Sequence, residues 1–137
     1  MQDRPTVDEL LEAVQSFLRD DVMAATSGRV NFHARVAGNV LEWVRRELAH
    51  EQPHLQHEWD GLNRLDAMNR PLPAGLPAAR AAIEERNQEL CARIRAGAFA
   101  EGSARIDLLA HLRAVTHDKL VVTNPALLPA DSNPRQN

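Results

Sequence analysis

Apolar residues recur at intervals of three and four along most of the chain, and alternation at two is almost absent. Val7, Leu10, Leu11, Val14, Phe17, Leu18 and Val22 predict a first helix that runs to about Ala25. Thr6-Val7-Asp8-Glu9 is a capping box that would start it, and Ser27-Gly28 would end it. A second helix is predicted from about Val30 to His50, with a broad apolar face that includes Phe32, Val36, Val40, Trp43, Val44 and Leu48. Pro53 is expected to close what precedes it and to open a shorter third helix carrying Leu55, Trp59, Leu62 and Leu65. The stretch from Asn69 to Pro77 holds three prolines and is predicted to be a connection. A fourth helix follows, with Ala79, Ile83, Leu90, Cys91 and Ile94 as its buried stripe. Ser103 is expected to cap a fifth helix through Ile106, Leu109, Leu112, Thr116 and Leu120, which Asn124-Pro125 stops.

The only strand-like segment is Leu120–Thr123, and it has no partner strand. The predicted fold class is therefore all-α, a single-domain bundle of about five helices over residues 1–128, with helix two at its centre. Residues 129–137 form a polar, proline-containing tail that is expected to be disordered.

Composition narrows the function classes. A length of 137 residues suits one domain, and 44% hydrophobic with 26% charged residues is ordinary for a globular protein. The net charge of −3 and pI near 6.0 argue against nucleic acid as a partner. Charges of both signs are interspersed and no apolar run is long enough for a bilayer, so no membrane partner is expected. The amino-terminal residues are polar and the chain has one cysteine, Cys91, so a reducing cytoplasm is the expected location. Aromatics are only 4%, with no tyrosine, so a small-molecule pocket would be lined mainly by aliphatics.

Candidate chemistry centres on helix two. On a helical wheel His33 falls between Val40 and Val44. The expected role is a core histidine whose ring nitrogens need partners, and the alternative is a general base lining a pocket. Asn87 sits on the apolar stripe of helix four, where it is expected to be buried and to be a candidate partner, the alternative being a place at the bundle edge. Arg35, Asn39, Glu42 and Arg46 share a narrow polar sector, either a solvated edge or a recognition surface. His50-Glu51-Gln52-Pro53-His54 has HExxH spacing, but Pro53 is expected to break the helix that motif requires, so no metal is assigned. His111 is placed on the polar face of helix five with Asp107 and Asp118, and His117 at the edge of its apolar face. Cys91 is expected to be an inert core thiol. No GxSxG elbow or phosphate-binding glycine loop is present, so neither a catalytic residue nor a cofactor is assigned.

Phe32-His33-Ala34-Arg35-Val36-Ala37-Gly38-Asn39-Val40-Leu41, Arg93-Ile94-Arg95-Ala96-Gly97-Ala98-Phe99 and Lys119-Leu120-Val121-Val122-Thr123-Asn124-Pro125 resemble a bacterial family, the domain of unknown function DUF6285. The opening Arg4-Pro5-Thr6 with Glu9-Leu10-Leu11 extends the resemblance, which covers roughly residues 4–128. It implies a small helical protein encoded beside, or fused to, aminoglycoside-phosphotransferase-like kinases and near acyl-CoA dehydrogenases. It carries no catalytic residues. The expected function is a non-catalytic accessory or interaction module that partners such an enzyme. The alternative is a small-molecule-binding protein or weak enzyme with a pocket near His33. Homodimerisation is compatible with either.

Overall fold

A computed structural model describes residues 3–129, so the expectation for the tail from residue 130 lies outside the described residues. The described chain is helical and contains no strand. The all-α expectation holds, with four helices in place of about five. The first, α1 (Val7–Ser16), continues through a π-helical segment, Phe17–Val22, into a last turn, Met23–Ala25. It starts where the sequence predicts. Thr6 Oγ1 accepts from the Glu9 amide and the Glu9 carboxylate accepts from the Thr6 amide.

The second helix, α2, runs unbroken over Gly28–Leu65. Predicted helices two and three are therefore one helix, and Pro53 sits inside it. A proline in a helix interior lacks one N–H and crowds the preceding turn. Here it removes the hydrogen bond that residue 53 would give to the Ala49 carbonyl, and 37 other residues keep the helix intact around the gap. Asn31 reinforces the start of α2, because its Nδ2 donates to the carbonyls of Met23 (2.7 Å) and Thr26 (3.1 Å).

After the connection, α3 covers Leu76–Arg95, with a proline in its first turn as expected. The last helix, α4, covers Gly102–Thr123 and is followed by a 3-10 turn, Pro125–Leu127. The strand-like Leu120–Thr123 is helical, because α4 continues through it. Among the described residues no helix is long and apolar enough to cross a membrane.

Backbone contacts gather into two units, one up to Ala49 and one from His50 onward. In the first, α1 lies antiparallel to the early part of α2. Arg45 reaches Asp8 (Nε–Oδ1 2.6 Å) and Glu12, while Gln15 reaches the Gly38 carbonyl (3.4 Å) and Glu42 (3.3 Å). The facing side chains are half-buried, and Ala34 alone among the described residues of this unit is fully buried. In the second unit, the later part of α2 packs with α3 and α4 around Trp59, Leu62, Ile83, Leu90, Phe99 and Leu108.

Candidate functional site

The first unit has two contrasting sides. At about 100° per residue, the half-buried positions of α1 (Leu11, Gln15, Leu18, Val22) mark the side turned to α2. Val7, Leu10, Val14 and Phe17 lie roughly a quarter-turn from that direction and are 48–62% exposed. On α2 the inward side is Asn31, Ala34, Gly38, Leu41 and Arg45. Val40 and Val44 lie about a third of a turn away, in the same rotational sense, at 47% and 40% exposure. The helices run in opposite directions, so rotations of like sense from the shared contact bring both rows to one side of the pair. The register set by Asp8–Arg45 and Gln15–Gly38 puts Leu10 and Val14 at the heights of Val44 and Val40.

His33 belongs to this apolar side, as the helical wheel predicts, but it is exposed. The expectation of a core histidine is corrected. The apolar stripe is real, yet among the described residues it is not covered. Its ring neighbour is Phe32, edge-on at 5.7 Å between centroids.

The opposite side is polar. Asp8, Glu12 and Arg45 form one ion-pair cluster there, and the Arg45 bonds hold the Asp8 carboxyl below its usual pKa. The four-residue stripe is split in its surroundings. Arg35 and Asn39 are exposed, while Glu42 and Arg46 are half-buried, 3.9 Å apart, with Glu42 also accepting from Gln15.

The second unit holds a different assembly. The buried stripe of α3 is Ala79, Ile83, Arg86 and Leu90, rotated by about 40° from the predicted one. This rotation leaves Cys91 exposed, correcting its assignment to the core, and puts Asn87 at the edge. Asn87 Nδ2 donates to Glu58 Oε1 at 2.7 Å, so its partner is that carboxylate and not His33. Arg86, which sequence reasoning missed, is only 7% exposed. Its guanidinium donates to Asn63 Oδ1 (2.9 Å) and Asp66 Oδ2 (2.7 Å) and lies 4.4 Å over the Trp59 ring. Trp59 and Asn63 both donate to the Arg70 carbonyl, tying the connection after α2 to the core. Burial raises the Asp66 pKa, but hydrogen bonds from Arg86 and Arg93 outweigh it, so the group stays below the usual carboxylate range. A signal for Arg86 was present: positions 79, 83, 86 and 90 follow the three-four spacing of a core stripe.

His111 is also corrected. It is buried, at 5% exposure, against Gly61 of α2. Asp118 pairs with His57 instead (Nδ1–Oδ2 2.6 Å), and half-buried His117 stands 3.5 Å from the same carboxylate. Burial lowers the His111 pKa; Glu58 opposes this, and Arg64, His57 and Arg86 add to it. A base with a depressed folded pKa binds more protons when unfolded, so its contribution to stability is full above about pH 6.5 and declines as pH falls below that value. The melting temperature of the wild type is therefore expected to fall more steeply between about pH 6.5 and 5 than that of His111→Gln. Parallel slopes in differential scanning fluorimetry would exclude this role for His111.

His50 and His54 do share one helix face, with stacked rings 5.2 Å apart, because α2 is continuous. Glu51 of the same motif pairs with Arg80. Among the described residues no group of three His, Cys, Asp or Glu side chains is placed to hold a metal ion.

An open groove of about 510 Å³ runs along α3, floored by Leu55 and Ile83 and edged by Asn87, Arg80, Arg95 and Lys119. Of the candidate polar site residues His33, Arg35 and Asn87, only Asn87 lines it.

A family model described as domain of unknown function (DUF6285) matches residues 24–127. The chain belongs to this family. The match takes in all of α2, α3 and α4, and α1 lies before it. No curated protein and no solved structure matches the chain.

Proposed function

We propose that the protein is a non-catalytic accessory module that works by binding other proteins. The observation that carries this reading is the first unit, whose apolar side stands exposed above one fully buried residue. An apolar side of that kind is a mark of protein interaction. The partner class implied by the family resemblance is an aminoglycoside-phosphotransferase-like kinase or an acyl-CoA dehydrogenase, met in the cytoplasm. Arg35 and Asn39, exposed on the polar side, are the recognition groups, because a guanidinium fork suits a partner's carboxylate.

The test is a calorimetric titration of the full chain with an aminoglycoside-phosphotransferase-like kinase and with an acyl-CoA dehydrogenase from the same host. Binding to one of them is expected, weakened about tenfold or more by Arg35→Glu, since rim charges set attraction between docking partners. No binding to either enzyme would refute the reading.

A second reading, a small-molecule-binding protein, draws on the groove beside Asn87. Its mark would be a small molecule that co-purifies in native mass spectrometry and is lost in Asn87→Leu.

A further inference from the structure

We infer that two copies of this chain pair through the apolar side of the first unit, joining two α1/α2 pairs into a four-helix bundle about a twofold axis. The inference rests on the interaction-module reading only in taking that side as a docking surface.

The first unit has almost no core of its own. Only Ala34 is fully buried among its described residues. Two antiparallel helices bury one strip each against the other, and a second strip on the same side asks for another layer.

The area on that side is sufficient. Val7, Leu10, Val14 and Phe17 of the first helix and Val30, Val40, Val44 and Leu48 of α2 are 40–62% exposed. Together they offer roughly 600–800 Å² of surface per copy, against about 800 Å² per partner in a stable interface.

Leu10, Val14, Val40 and Val44 are uncharged, and His33 is the titratable group among them. The Arg45 cluster with Asp8 and Glu12 lies away from this side. What docks on the apolar side therefore needs no counter-charge there; it needs an uncharged apolar face of the same width. A second copy presents that face, and a twofold axis makes it self-complementary. A membrane surface fits less well. Asp8, Glu9, Glu12, Asp20 and Asp21 accompany a single arginine, Arg19, along the first helical run, and this charge repels anionic headgroups. Val30 and Leu48 lie on the same side of α2 and widen the contact.

The test is the mass of the purified full chain by light scattering and sedimentation velocity over a concentration series. The expected result is a dimer of the 15.3 kDa chain. Val40→Glu and Leu10→Glu place a charge in the interface and are expected to give monomers. Leu10→Ala and Val44→Ala keep the helices and remove only contact area, so they are expected to raise the dimer Kd about tenfold each. These two keep the test decisive if a glutamate variant does not fold. A wild-type monomer at every concentration up to about 100 μM, weak even for a transient contact, would overturn the inference. So would a dimer indifferent to all four substitutions. Neither result touches the enzyme titration with Arg35→Glu, so the two readings fail separately.

Discussion

Replacing Arg86 by methionine is expected to destabilise the second unit by about 3 kcal/mol, the lower end of the cost of breaking a buried ion pair. Methionine fills similar volume, so the loss is electrostatic and not a cavity. It strips Asn63 Oδ1 and Asp66 Oδ2 of their donors and removes the cation over Trp59. For a unit of this size the melting temperature should fall by on the order of 15 °C. Arg86→Lys should recover only part, because an ammonium cannot span two acceptors as a planar fork does. The Asp66 pKa adds a pH signature. A carboxyl held below its usual value contributes fully above about pH 4, and that contribution is lost as pH falls through the folded value. Circular dichroism melts at pH 7 and at about pH 2.5, below the ordinary carboxylate range, check both. If Arg86→Met melts within a few degrees of the wild type, the network is not a determinant of stability.

Gly61→Ala should also destabilise, against the usual rule. In a helix interior alanine is favoured over glycine by about 1 kcal/mol. Here the new Cβ would overlap His111 Nδ1 and come within 2.8 Å of Cε1. The ring is buried and cannot swing freely aside. Overpacking of this kind costs about 1–3 kcal/mol, enough to reverse the sign. In a His111→Ala background the obstacle is gone, and the same substitution should be nearly neutral or stabilising. The double-mutant cycle should show coupling of at least about 1 kcal/mol. Additive effects, or a Gly61→Ala protein more stable than the wild type, would rule out the contact.

Much of the architecture was legible because its signals are local. The Thr6 box, the proline opening α3 and the Asn124-Pro125 stop all act within a turn of where they stand. Pro53 misled because its penalty is local, whereas the continuity of α2 depends on the residues to either side. The wheel of α2 was read correctly, but a wheel says which side chains share a face and not whether anything covers it; hence the misplacement of His33. Arg86 sat in a core spacing, but its charge hid it, since its stability depends on Asn63 and Asp66 more than twenty and about twenty residues away. Gly61 was the one sequence hint of His111, because a glycine inside a helical pattern often marks a close packing partner.

The gap at Pro53 has a bearing on how the chain melts. Helix propagation gains one hydrogen bond per residue added, and cooperativity travels along that ladder. At Ala49 a rung is missing, close to where the two sets of contacts divide. Unwinding that begins at Gly28 can therefore stop there without breaking a bond on the far side. Amide hydrogens before Ala49 are free to exchange in brief openings that leave Trp59 and Leu62 packed. One imino acid is expected to let the longest helix of the protein open, in time, as two.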